Sequence, residues 1–322
     1  MAMDLTATYR ALVLGIAGNP TVRRLLTVNG RRLALRFVAG ETIADALRAA
    51  DRLHEEGVFS TLNLLGEGVA DGESARRFKD QILELVDAVA DRPWARYVSV
   101  KLTALGVDIG EEFAFRQLVE ILERARLRGC FIRIDMEDST HVDVTLRLYR
   151  RLRAEGYDHV GIVLQGYLRR SEQDLESLLP LRPNIRVVKG AYREPAKVAF
   201  PAKKYVDENY VRLARRNLGA GNYTAIATHD ERIIDRLKAW TSQASIGRDL
   251  FEFQMLYGVR PDLLRSLVRQ GYTARAYVPY GQDWYGYFAR RIAERPENLF
   301  FVLRGLLRST LRPAGYNIRA ER

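Results

Sequence analysis

Gly129-Cys130-Phe131-Ile132-Arg133-Ile134-Asp135-Met136 is a short, mostly apolar run that turns acidic near its end. Ahead of it, Phe113, Leu118, Ile121, Leu122 and Ala125 recur at helical spacing and stop at Gly129. Glycine ends helices because it takes a left-handed backbone without a Cβ clash. Behind it, Val144, Leu146, Leu148 and Leu152 repeat the pattern, stop at Gly156, and give way to Val160–Leu164. Strand, helix, strand, with a crossover long enough for a parallel return, is the unit of a parallel sheet.

Worked outward, the same alternation runs through most of the chain. The strand-like runs are Val58–Leu64, Tyr97–Leu102, Phe131–Met136, Val160–Leu164, Ile185–Lys189, Tyr223–Thr228, Leu250–Met255 and Thr273–Val278. Eight parallel strands close on themselves, so the expected fold is α/β, a (βα)8 barrel. An open doubly wound sheet is the alternative, and it more often shows Gly-x-Gly-x-x-Gly after its first strand. Here that turn reads Gly66-Glu67-Gly68-Val69-Ala70-Asp71, without the third glycine.

Residues 1–57 read as a helical extension packed on a barrel of residues 58–322, one catalytic domain in all. Asn19-Pro20 looks like an N-cap followed by proline at the first helical position, with Val22, Leu25 and Leu26 as the apolar face. Thr42–Glu56 is a second amphipathic segment, with Ile43, Ala46, Leu47, Ala50 and Leu53, stopped by Gly57.

Composition narrows the function classes. The chain has 322 residues, 47% hydrophobic and 28% charged, which suits a globular domain rather than a disordered or membrane-embedded one. No apolar run approaches the roughly 18 residues of a membrane-spanning helix. Ala11–Ala17 is too short for a secretory leader, and its basic residues follow it rather than precede it. The single cysteine, Cys130, starts an apolar run and reads as a buried hydrophobe; a reducing, cytoplasmic setting is expected. The net charge of +11 admits a basic face for nucleic acid or for an anionic membrane surface. It also admits arginine scattered over solvated helix faces, as in Arg124-Ala125-Arg126-Leu127-Arg128. That scatter argues against nucleic acid and leaves a weak peripheral attraction to a membrane open.

Polar residues take up the ends of the strand-like runs: Lys101, Asp135, Gln165, Lys189, Thr228 with His229, Gln254 and Tyr277. Barrel enzymes place reacting groups there, on loops held by a rigid ring. Seven polar ends in register point to one site. No metal site is expected, because His54, His141, His159 and His229 are scattered and only His229 sits at a strand end. No Gly-x-Ser-x-Gly elbow or Cys/His pair supports a nucleophile, while Lys101 could form a Schiff base. After the eighth run, Gln282–Glu294 carries Arg290 and Arg291, which point about 100° apart on a helix. Such a pair could grip a small carboxylate, or could serve the helix end and an Arg290–Glu294 pair structurally.

The motifs, taken in order, resemble the proline dehydrogenase family in its short, single-function bacterial form. They are Ser99-Val100-Lys101-Leu102, Arg133-Ile134-Asp135-Met136-Glu137, Leu164-Gln165-Gly166-Tyr167 and Arg186-Val187-Val188-Lys189-Gly190-Ala191-Tyr192. Ala227-Thr228-His229-Asp230, Phe251-Glu252-Phe253-Gln254-Met255-Leu256-Tyr257-Gly258, Tyr277 and the closing Arg290-Arg291-Ile292-Ala293-Glu294 continue the series. The resemblance implies a distorted TIM-type barrel with a C-terminal helix over its mouth. It implies non-covalent FAD, oxidation of L-proline to Δ1-pyrroline-5-carboxylate, and a membrane quinone as electron acceptor. It assigns Lys101, Arg290 and Arg291 to the substrate carboxylate, and Tyr192, Leu256 and Tyr277 to the pyrrolidine ring. Asp135 would orient these side chains, and Arg186 would lie beside the flavin's N5 edge. Met136, Gln165, Val188, Lys189, Gly190, Ala191, Thr228 and His229 would line the flavin, with Glu294 bracing the last helix. Tyr277 against the ring would favour proline over hydroxyproline. The aldehyde dehydrogenase and DNA-binding domains of large bifunctional relatives are not expected. A Schiff-base lyase using Lys101 or Lys189, and a non-catalytic basic module, are the competing readings.

Overall fold

A computed structural model gives the fold and describes residue 15 and residues 34–294, with side chains to residue 291. The Asn19-Pro20 helix therefore lies outside the described residues. Eight parallel strands form a closed barrel in chain order: β1 (Phe59–Leu64), β2 (Tyr97–Val100), β3 (Phe131–Ile134), β4 (Val160–Gln165), β5 (Ile185–Val188), β6 (Thr224–Ala227), β7 (Phe251–Leu256) and β8 (Ala274–Tyr280). Before, between and after them lie helices α1 (Ile43–Glu55), α2 (Gly72–Ala88), α3 (Glu111–Arg128), α4 (Val142–Ala154), α5 (Ser171–Leu178), α6 (Lys203–Gly219), α7 (Glu231–Gln243), α8 (Pro261–Arg269) and α9 (Trp284–Glu294). The expected (βα)8 order is present, and each strand-like run overlaps one observed strand.

The chain divides into two compact units. One is Ala39–Gln282, and the other joins the segments before Ala39 and after Gln282, so it includes α9. Within the first unit, α1 packs against β8 and β1, covering the seam where the barrel closes. The start of α1 is built by a capping box: Thr42 Oγ1 accepts from Asp45 N–H, and Asp45 accepts from Thr42 N–H. Glycine stops act as expected where Gly129 ends α3 at φ 63°.

Strand register fixes what faces inward. Aligned residues in a parallel ladder point to the same side, and one parity runs round the ring. Thr61 aligns with Tyr97 and Tyr277, Ser99 with Arg133, Arg133 with Gly161, Arg186 with Val163 and Ala225, and Ala225 with Glu252. The opposite parity (Leu62, Val98, Ile132, Ile162, Val187, Ile226, Phe253) is apolar and buried under the helices. Barrel interiors are usually filled by branched apolar side chains. This one instead holds arginines and their acceptors.

Small residues make room for them. Arg133, fully buried, spans β4 to donate to Ile162 O at 3.1 Å and Asn184 O at 2.6 Å. It can do so because β4 offers Gly161, where a Cβ would stand 2.4 Å from Arg133 Nη1. Burial, and then the neighbouring Arg186, lower the Arg133 pKa to about 10. On β6 the inward residues Ala225 and Ala227 leave a similar gap beside Arg186. Among the described residues, no helix is long and apolar enough to cross a membrane.

Candidate active site

Arg186, the second residue of β5, is buried, and its guanidinium gathers groups from β2, from just past β3 and from β7. Nη1 donates to Asp135 Oδ1 at 2.8 Å, and Nε donates to Gln254 Oε1 at 2.7 Å. Ser99 Oγ lies 3.2 Å and 3.3 Å from the two Nη atoms. The second oxygen of Asp135 accepts from the Tyr277 hydroxyl at 2.6 Å. Lys101 Nζ stands 3.8 Å from that oxygen and 3.9 Å from Glu67 Oε1. Both Asp135 oxygens therefore take a charged or hydroxyl donor, and the carboxylate organises its neighbours. The Arg186 guanidinium also faces the Tyr277 ring, 5.2 Å from its centroid.

The expected polar ends are met in position at five strands. Lys101, Asp135, Lys189 and Thr228 each directly follow a strand, and Gln165 closes β4. Gln254 and Tyr277 differ, because β7 runs on to Leu256 and β8 to Tyr280. They are interior residues of the inward parity, and they reach the cluster from the side of the ring. Pro279 does not end β8; its carbonyl accepts from Ala39 N–H at 2.9 Å.

A second group sits at the ends of β4 to β7. Gln165 is buried, and its Nε2 donates to Glu137 O at 3.0 Å. That acceptor fixes the amide's orientation and leaves Gln165 Oε1 buried without a protein partner. His229 Nε2 accepts from Leu256 N–H at 3.0 Å, which assigns the ring proton to Nδ1. Leu256 is in register with Tyr277. Thr228 N–H donates to Gln254 O at 3.1 Å, and Thr228 Oγ1 accepts from Asp230 N–H at 3.1 Å. Lys189 bridges Asp207 at 2.6 Å and Asp230 at 2.7 Å. Burial alone would raise the Asp230 carboxyl, but Lys189 and Lys203 hold it far below its ordinary value. Val188 ends β5, and Gly190 (φ 113°) follows with its Cα against the Tyr167 ring, where a Cβ would lie 2.1 Å away. Ala191 and Tyr192 continue that connection, and Met136 is buried just past β3.

Arg290 and Arg291 lie on α9, in the other unit. Arg291 stacks its guanidinium over the Tyr287 ring at 4.9 Å. The side chain of Glu294 lies outside the described residues. Among the described residues no cluster of histidine, cysteine or acidic side chains could hold a metal ion. Cys130 is buried, and burial pushes its thiol up to about 11, against a nucleophilic role.

A family model described as proline dehydrogenase matches residues 46–304, the barrel strands and the cluster on Asp135 included. The chain belongs to the proline dehydrogenase family. It is 49% identical over 304 residues to the proline dehydrogenase of Deinococcus radiodurans, covering 93% of this chain and 98% of that one. Proline dehydrogenase 1 of Bacillus subtilis is 42% identical over 300 residues, covering 93% and 99%. In three dimensions the chain is similar to the crystal structure of proline utilization A (PutA) from Bdellovibrio bacteriovorus inactivated by N-propargylglycine, with TM-score 0.77 and 26% identity. That match covers 87% of this chain and 34% of the PutA chain, so the family fold spans about a third of the larger protein.

Several residues of the cluster escape a reading based on strand ends. Ser99, Arg133 and Glu252 lie inside strands, and only their inward parity marks them. Glu137 is buried past β3, where it accepts from Thr103 N at 3.0 Å and from Thr103 Oγ1. Burial raises its pKa.

Proposed function

We propose that this enzyme oxidises L-proline to Δ1-pyrroline-5-carboxylate with a non-covalent FAD and passes the electrons to a membrane quinone. The observation that carries the reading is the Arg186–Asp135–Tyr277 cluster, with Lys101 at its edge, in a chain of the proline dehydrogenase family.

The residues present suit a flavin. Gln165 Oε1 is a buried acceptor that the protein leaves unpaired, and burying such an atom costs about 1–3 kcal/mol unless a ligand or water pairs it. An isoalloxazine ring offers an N–H donor of that kind. Met136, Gln165, Arg186, Val188, Lys189, Gly190, Ala191, Thr228 and His229 would hold the group. FAD when bound supplies a two-electron acceptor for hydride.

The remaining work belongs to the protein. Oxidation removes a hydride from C5 of the ring and a proton from its nitrogen, and a double bond forms between them. Lys101 binds the carboxylate, a role the family resemblance also gives to Arg290 and Arg291; holding the carboxylate aims C5 and keeps positive charge away from the nitrogen that must lose its proton. Tyr192, Leu256 and Tyr277 enclose the ring; Tyr277, held by Asp135, leaves little space for a ring hydroxyl. Asp135 fixes Arg186 and Tyr277 together, so that positioning is in place before substrate arrives. Lys101 and Lys189 both stand beside carboxylates as ion-pair partners, an arrangement that suits substrate or phosphate binding better than Schiff-base attack.

The test is a visible spectrum before and after anaerobic L-proline. A yellow protein that bleaches supports the reading; a colourless protein that takes up no FAD rejects it.

A further inference from the structure

Arg186 is pinned at two places. Its Nε reaches Gln254 Oε1 on β7, across the Ala225 gap in β6, and its Nη1 reaches Asp135 just past β3. A planar guanidinium held on two sides has a fixed position and a fixed roll. The Gln254 amide could in principle present either its oxygen or its nitrogen to Arg186. Glu252, two residues earlier on the inward face of β7, selects the oxygen, because its carboxylate accepts from Gln254 Nε2. A flipped amide would set N–H against guanidinium N–H and C=O against carboxylate, replacing two hydrogen bonds by two repulsions.

Glu252 is itself anchored. It is fully buried, and Arg275 Nε donates to its two oxygens at 2.9 Å and 3.0 Å. Arg275 Nη1 donates onward to Ser60 O at 3.0 Å. Burial alone would raise the Glu252 carboxyl, but Arg275 beside it holds it below its ordinary value. A side chain that only filled the interior would need no acceptor turned toward Nε.

We propose that Gln254 is a positioning residue for Arg186, and that the Arg275–Glu252 ion pair sets the orientation of its amide. The pair inside the barrel thus determines where the guanidinium stands at the candidate active site. The part of this inference that concerns turnover rests on the flavin-dependent reading above.

The experiment compares Gln254→Met, Gln254→Glu and the double variant Glu252→Leu/Arg275→Leu with the native enzyme. Removing both charges of the pair together leaves no unpaired buried ion, so this variant is expected to fold. The first readout needs neither flavin nor proline: solvent exchange of the Arg186 Nε–H in a nitrogen-15 spectrum, identified by its loss in Arg186→Lys. Gln254→Met and the double variant should speed that exchange about tenfold or more, while Gln254→Glu, which keeps an acceptor, should not. Unchanged exchange in Gln254→Met overturns the role of Gln254, and unchanged exchange in the double variant overturns that of the ion pair. In the FAD-loaded enzyme, Gln254→Met should lower kcat about tenfold with the proline KM changed less than about threefold. An unchanged kcat overturns the proposal. Should native protein fail to bleach with proline, the functional reading falls, and the exchange measurement still decides this one.

Discussion

Asp135 spends one carboxylate oxygen on Arg186 and the other on Tyr277. In Asp135→Asn, one of those donors would face an amide N–H, and buried Arg186 would lose its charge partner. Breaking a buried pair from one side costs about 3 kcal/mol or more, and kcat/KM should fall about 100-fold or more. Urea unfolding and steady-state kinetics check both; a loss under about 1 kcal/mol would mean that Arg186 finds another partner. If Arg291 binds the substrate carboxylate as proposed, Arg291→Met is expected to raise the proline KM about tenfold or more with FAD still bound. An unchanged KM removes Arg291 from that role. Gly161→Ala carries the interior argument: its Cβ would meet Arg133 Nη1 at 2.4 Å and the backbone oxygen of Asn184 at 2.7 Å. A destabilisation of about 1–3 kcal/mol is expected from that overpacking, read as a lower denaturant midpoint. Asp135 was legible in the sequence as an acid ending an apolar run. Gly161 was not, because a glycine inside a strand says nothing of the arginine that crosses it.

At the scale of elements, the loops after β2 and β3 are joined by one histidine. His141 Nε2 meets Asp108 Oδ1 at 2.9 Å, and Nδ1 meets Asp138 Oδ1 at 2.8 Å. Two carboxylates on two ring nitrogens favour the imidazolium. Burial alone would lower its pKa, but the two aspartates raise it. A raised folded pKa gives stability that is complete below the unfolded value of about 6.5 and is lost as pH rises through the folded value. His141→Gln should therefore cost on the order of 1 kcal/mol at pH 5.5 and much less at pH 9, by thermal or denaturant melts. An equal cost at both pH values would mean that the imidazolium charge contributes nothing. The helices were legible because apolar spacing and caps are local, as the Thr42–Asp45 box and Gly129 illustrate. The end of β8 was not: the strand-like run stops at Val278, yet the closed ring extends its pairing with β1 to Tyr280.

For the whole molecule, the +11 charge has an uneven source. Residues 1–33 hold five arginines against Asp4, and residues 295–322 hold six arginines against Glu297 and Glu321. The excess is thus concentrated in the chain outside the barrel unit, rather than spread evenly over solvated helices. A peripheral attraction to anionic membrane, as the quinone reading requires, should act through those arginines. Co-sedimentation with phosphatidylglycerol vesicles at low salt, and release at about 0.5 M salt, is the expected outcome. Equal binding to neutral vesicles would reject the electrostatic attraction.

By itself the sequence determined that strands and helices alternate, that eight runs close a ring, and which residues end most of those runs. Those features follow from nearest neighbours along the chain: strand alternation, helical spacing and glycine stops. Only the tertiary structure decided that the interior is polar and that Arg186 is shared between Asp135 and Gln254. Tyr277 and Asp135 are 142 residues apart in the chain, and Arg186 and Gln254 are 68 apart. No local pattern reports such contacts, because closure of the barrel, with glycine and alanines leaving the gaps, is what brings those side chains together.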